Sequence, residues 1–148
     1  MFHIASPSLP ARLALAVLLS VGAGGAAFAR TLPVSGTFMA EGKTTTTPAG
    51  TVSGSFDTAT DELTYTVTYE GLSGPVVAAH FHGPAKRGVN AGVLKPIDGP
   101  YDSPIKGTTT LDKAQTKDLE TGLIYVNLHT AANPAGEARA QLHVKHTK

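Results

Sequence analysis

Between positions 63 and 69 the chain runs Leu63-Thr64-Tyr65-Thr66-Val67-Thr68-Tyr69, an apolar or aromatic residue at every second place and threonine between. A strand sends successive side chains to opposite faces, so this pattern gives one greasy face and one wet face; on a helix the same residues would scatter around the axis. Related stretches recur along the chain. Leu32 to Met39 sets Leu32, Val34 and Phe38 against Pro33, Ser35 and Thr37. Thr51 to Phe56 follows, with Ser53-Gly54-Ser55-Phe56 echoing Ser35-Gly36-Thr37-Phe38. Val76 to His82, Ile105 to Leu111, Leu123 to His129 and Ala138 to Val144 are further strand segments, with a short one at Val93-Leu94. Turn-forming residues separate them, including Asn133-Pro134-Ala135-Gly136, which fits a type I turn. One helix is expected, capped by Asp112, covering Lys113 to Leu119 and stopped by Gly122. Seven or so short strands with regular turns predict an all-β, antiparallel Greek-key-type sandwich or barrel.

The first segment belongs to targeting. Arg12 precedes the apolar run Leu13 to Val21, and Ala27-Phe28-Ala29 forms a small-residue cleavage site. Only 17 residues separate Arg12 from Arg30, three of them glycine, fewer than the roughly 20 apolar residues of a stable membrane span. Residues 1–29 are therefore expected to be a cleaved signal peptide, residues 30–148 a single domain without a membrane span, and the location periplasmic or secreted. Loss of Arg12 brings the formal charge from +1 to zero, with no basic run to suit nucleic acid. The 148 residues contain no cysteine, which excludes disulfides, thiolate metal sites and a cysteine nucleophile. There is no phosphate-binding glycine loop. Gly71-Leu72-Ser73-Gly74 does not have the spacing of a serine nucleophile elbow, and the acidic residues form no paired-carboxylate motif.

The histidines carry what chemistry remains. His80 and His82 alternate with Phe81, the natural core residue, and so share the opposite face. In that strand Val77, Ala79 and Phe81 are expected to face inward, and Val76, Ala78, His80 and His82 outward. In the next apolar strand Ile124, Val126 and Leu128 face inward and Tyr125, Asn127 and His129 outward. In the last, Ala138, Ala140, Leu142 and Val144 face inward and Glu137, Arg139, Gln141 and His143 outward. Alternate residues of a strand stand ~6.6–7 Å apart, close enough for two imidazoles to converge on one ion. If these strands are neighbours, His80, His82 and His129 make a three-nitrogen set, with His143 as the weakest candidate for a fourth. Imidazole ligands without thiolate or carboxylate suit copper first and zinc second. Histidines beside turns also serve simply to bond backbone carbonyls, and that structural role stays open for each of them. His146 belongs to a basic tail.

Three segments carry a family resemblance. Ala79-His80-Phe81-His82-Gly83-Pro84-Ala85, then Gly122-Leu123-Ile124-Tyr125-Val126-Asn127-Leu128-His129-Thr130, then Asn133-Pro134-Ala135-Gly136-Glu137-Ala138-Arg139-Ala140-Gln141-Leu142 resemble the motifs of the CHRD (chordin-type) domain, in order, over about residues 32–144. Ala140 and Ala138 replace a glycine and a β-branched residue of that pattern. The resemblance implies an immunoglobulin-like or dismutase-like β-sandwich and leaves the biochemical role unassigned. The histidine pattern also resembles the copper half of copper–zinc superoxide dismutase. On that likeness His80, His82 and His129 are the copper ligands, and Arg139 is the one weak candidate for a catalytic, anion-guiding residue. No histidine between Gly83 and Val93 bridges to a zinc, so a copper-only site is the most the likeness implies. Two functions remain: an exported transition-metal-binding protein engaged in copper handling or superoxide dismutation, or a non-catalytic extracellular module that binds a protein or other ligand. Whether the protein is an enzyme is left open by the sequence.

Overall fold

A computed structural model describes residues 29–146; the expected signal peptide lies almost wholly outside them. The described chain forms β1 (Thr31–Ala40), β2 (Ala49–Asp57), β3 (Glu62–Glu70), β4 (Val76–His82), β5 (Val93–Ile97), β6 (Ile105–Thr110), α1 (Lys113–Glu120), β7 (Tyr125–Thr130), β8 (Ala138–Gln141) and β9 (His143–Val144). All recorded strand pairings are antiparallel. The strand order is β5-β4-β7-β8-β1-β2-β3-β6, with β9 pairing β1 beside β8. Connections β3 to β4, β5 to β6 and β6 to β7 cross from one half of the sheet to the other.

The long β1 joins the halves. Its first part pairs with β9 through Val34 and Val144, and its last with β8 through Phe38 and Ala140. The sheet curls into a nearly closed barrel. Tyr65 of β3 and Phe81 of β4, far apart in strand order, pack edge to face with centroids 5.1 Å apart. Around them lie Leu32, Phe56, Leu63, Val67, Ile97, Val126, Leu128 and Leu142, all at most 2% exposed. The strict alternation in β3 holds: Leu63, Tyr65 and Val67 are buried and the threonines face outward or lie partly covered. Gly107 of β6 sits opposite Tyr65, and a Cβ there would meet the phenol oxygen at 2.5 Å, so only glycine leaves the ring its place.

The helix forms as its cap predicts. The Asp112 side chain accepts from the Gln115 backbone N–H at 2.9 Å, and the Gln115 side chain accepts from the Asp112 N–H at 3.1 Å. Leu119 is its buried anchor.

Three expectations are corrected. In β4 the register against β7 shifts between Val76 and Ala78, and this bulge resets the alternation. Val76 is therefore buried and Val77 is 55% exposed, the reverse of the expected faces, while Ala79 and Phe81 point inward as expected. The closing strand is broken at Leu142 into β8 and β9, because the Leu142 N–H turns to bond Ile124 O at 2.9 Å. The outward faces of β7 and β8 are not wet: Tyr125, Asn127, Arg139 and Gln141 are all at most 8% exposed, covered by loops.

Phe81→Ala should lower unfolding free energy by about 3–5 kcal/mol in a denaturant titration, since it removes a buried ring packed against Tyr65 across the core. An unchanged midpoint would contradict the placement of the β4 core face.

Candidate metal centre

Strands β4 and β7 run side by side, with His80 opposite Asn127, His82 opposite Tyr125 and Ala78 opposite His129. Alternation along each strand puts His80, His82, Tyr125, Asn127 and His129 on the same non-core face. The three histidines each offer a ring nitrogen, and these atoms all lie within 4.8 Å of one another. Their ring centroids are 5.0 to 6.1 Å apart. His80 is partly covered, whereas His82 and His129 are 8% and 9% exposed.

Hydrogen bonds fix which nitrogens point inward. His82 Nδ1 lies 3.0 Å from Ala91 O, and His129 Nδ1 lies 3.0 Å from Pro134 O. A carbonyl only accepts, so both Nδ1 atoms carry the proton and donate it. Both Nε2 atoms then keep a free lone pair. The His129 Nε2 faces His80 Nδ1 at 3.1 Å, and His82 Nε2 is buried with no hydrogen-bond partner. Two nitrogens bonded to one ion at ~2.0–2.1 Å stand about 2.9 Å apart at a right angle and about 3.3 Å apart at the tetrahedral angle. The 3.1 Å separation falls between these. Donation of the remote N–H to a backbone carbonyl is also how metal-ligating histidines are ordinarily oriented.

The electrostatics favour the neutral form of His80 and His82. Burial lowers the pKa of His80 below the ordinary histidine value, and the neighbouring His129 and His82 lower it further. For His82 burial again comes first; His129 also lowers it, while the bonds to Ala91 and the nearby Glu41 charge oppose the shift. The neutral, lone-pair-bearing form is thereby favoured at neutral pH.

Both orienting carbonyls are held by buried polar side chains. Ala91 belongs to the loop after β4. Gln141 Nε2 donates to Ala85 O at 3.0 Å, and Arg139 donates to Lys86 O at 3.0 Å and Val89 O at 2.8 Å. The Tyr125 hydroxyl accepts from Ala91 N at 3.1 Å. The Tyr125 ring stacks on His82, 5.0 Å between centroids and 9° from parallel, and the Arg139 guanidinium lies 3.4 Å from its centre. Pro134 belongs to the turn before β8, closed by Gly136 N–H to Asn133 O at 3.1 Å. Gly136 has φ +123°, and a Cβ there would meet the Asn127 amide at 2.5 Å, so glycine is required on both counts.

Glu137 anchors that turn. Its fully buried carboxylate accepts from Ser73 N and Oγ at 2.7 and 2.6 Å, Thr46 Oγ1 at 2.7 Å, Asn133 Nδ2 at 3.0 Å, and Thr130 Oγ1. Burial pushes this carboxyl up, but the bonds from Ser73, Thr130 and Thr46 outweigh it and hold the pKa at about 2.

His80, His82 and His129 are thus brought together. His143 is not among them: it is exposed on β9, opposite Ser35 of β1, with its ring beside Gly122. Arg139 lies next to the centre, and four of its five N–H groups bond Lys86 O, Val89 O, Gln141 Oε1 and Glu41, which ties the loop after β4 to β8. His146 is exposed. The sequence reading missed Glu41, which accepts from Arg139 Nη1 at 3.4 Å and from Asn127 Nδ2. It also missed the Ala91 and Pro134 carbonyls, for which no side-chain signal exists.

Fold and centre together define an antiparallel β-barrel that carries a three-histidine cluster across two neighbouring strands. The family model of the CHRD domain matches residues 31–142, well over half of the chain, and the protein belongs to that family. No curated protein and no solved structure matches it.

Glu137→Gln should cost about 2–3 kcal/mol at pH 7, because a neutral amide replaces a buried charged acceptor. The Glu137 pKa is depressed in the folded state, so its contribution is present above about pH 4.5 and lost as pH falls towards 2. Urea titrations across that range should show the gap between wild type and variant closing. A gap that persists at pH 2 would contradict the assignment.

Proposed function

We propose that this CHRD domain binds a transition-metal ion outside the cytoplasm, copper in preference to zinc, through His80 Nδ1, His82 Nε2 and His129 Nε2. The observation that carries the proposal is His82 Nε2, a buried lone pair with no donor facing it, beside two other imidazole nitrogens. Leaving such an atom unpaired costs about 1–3 kcal/mol, and a cation supplies the missing partner. The donor chemistry supports the metal preference. Neutral imidazoles suit copper and zinc alike, and the divalent order places copper above zinc for a given nitrogen site.

The role best supported is capture and carriage of copper in an exported protein, periplasmic or secreted. Residues 1–29 have the layout of a signal peptide, and among the described residues no helix is long and apolar enough to cross a membrane. Arg139 is committed to the loop that orients His82, so superoxide dismutation receives no support from a free guiding cation at that position.

Copper titration of the protein should give one equivalent bound per chain, with a rise in melting temperature that grows with free copper. His80→Ala, His82→Ala and His129→Ala should each weaken binding by more than about 100-fold while far-ultraviolet circular dichroism is kept, since loss of even an outer-layer partner costs 10–100-fold at such sites. His143→Ala and His146→Ala should bind as wild type. Because the pKa values of His80 and His82 are lowered, binding should persist at pH 6.5, the ordinary histidine midpoint, and be lost only in more acid solution. Equal binding by wild type and all three cluster variants would leave an interaction module as the surviving function.

A further inference from the structure

A concave site apart from the histidine cluster is lined in part by Arg139. It is a groove of about 630 Å³. Its floor includes Thr37 and Met39, the outward residues of β1, together with Arg139 and Gln141 of β8. One wall is the Arg87–Gly88 stretch of the loop after β4, and another is Ala135–Gly136 of the turn before β8. None of His80, His82 and His129 lines it. The size is that of a small-molecule site rather than a surface irregularity.

The polar groups in the groove are unbalanced. The Arg139 side chain is 7% exposed. Its Nη1 donates to Val89 O and Glu41, and its Nη2 donates to Lys86 O and Gln141 Oε1. Nε is left: it is buried and has no acceptor. Nε lies too deep for an outside oxygen to reach, so Arg139 acts on the groove through its charge. Arg87 adds a second cation to the lining. It lies against the Met39 sulfur, and no carboxylate among the described residues pairs with it. Glu41 is the one acidic residue lining the groove, and it is already occupied by Arg139 and Asn127. Two guanidinium groups against one engaged carboxylate leave a net positive lining. Met39, 49% exposed, with Ala40 and Ala135, provides an apolar surface beside it.

We propose that this groove binds a small organic carboxylate with an apolar body, its carboxylate paired with the exposed Arg87 guanidinium in the positive field that Arg139 adds, and its body resting on Met39. A neutral ligand would leave Arg87 unpaired, and a bare inorganic anion would leave the apolar surface uncovered. The inference does not depend on copper, because the groove and the histidine cluster share no ligand atom.

The test uses protein stripped of metal with a chelator and dialysed. Phenylacetate and hexanoate are titrated by heteronuclear NMR against their neutral amides, phenylacetamide and hexanamide. The carboxylates should bind saturably, with shifts at Thr37, Met39, Arg87 and Gly136, and should bind about 10-fold more tightly than the amides, the ratio expected for one charge-assisted hydrogen bond. Arg87→Gln should weaken phenylacetate by about 5- to 10-fold and leave the melting temperature unchanged, since Arg87 is exposed and holds no ion pair. Absence of saturable shifts in the groove would overturn the proposal. So would equal affinity for acid and amide, or phenylacetate binding by Arg87→Gln as tight as by wild type. Wild-type copper binding measured on the same sample separates failure of this proposal from failure of the metal reading.

Discussion

A fully buried, ionised glutamate is expensive unless donors surround it, and Glu137 is surrounded. Its five hydrogen bonds reach the turn after β1 through Thr46, the turn after β3 through Ser73, and the end of β7 and the turn after it through Thr130 and Asn133. One carboxylate thereby holds three connections in register at one end of the barrel. The turn it fixes carries Pro134 O, and that carbonyl decides which nitrogen of His129 keeps its lone pair. The path from sequence to candidate chemistry runs through a side chain that never touches the cluster.

The other support works in the same way from the opposite side. Arg139 and Gln141 project from the non-core face of β8, a face that would ordinarily be wet. Here the loop after β4 folds over it, and its carbonyls become the acceptors these side chains need. The loop in return delivers Ala91 O to His82. Burial of polar groups and satisfaction of polar groups are thus achieved together, which is the general condition for a polar layer inside a protein. The conspicuous residues of the Asn133-to-Leu142 segment therefore act as a frame: the turn with Glu137 orients His129, and Arg139 and Gln141 steady the loop that orients His82. Dry surroundings and neighbouring imidazoles favour the neutral form of His80 and His82, the form a metal ion requires.

Much of this was legible in the sequence because it rests on local periodicity. The alternation in β3 fixed its faces without reference to any partner, and Asp112 announced the helix start. His80 and His82 flank a core phenylalanine, which places them together whatever the neighbouring strand is. The adjacency of β4 and β7, which brings in His129, is a long-range pairing that sequence pattern only permits. The bulge at Val77 was illegible, since Val76 and Val77 are identical residues and nothing local tells which turns inward. Burial of Glu137, Arg139 and Gln141 was illegible too: polar residues alternating with alanine look solvated until a distant loop covers them. His143 continued the outward pattern of the last segment, but the break at Leu142 and the pairing with Ser35 carry it away from the cluster.

The central claim is that one ion sits among three imidazoles whose inward nitrogens are set by Ala91 and Pro134. Anomalous diffraction at the copper edge, from crystals of the protein loaded with one equivalent of Cu(II), tests it most directly. A single strong peak within ~2.0–2.1 Å of His80 Nδ1, His82 Nε2 and His129 Nε2, with both backbone hydrogen bonds kept, is the predicted result. A peak at His143 or His146 instead, or no ordered copper at all, would contradict it.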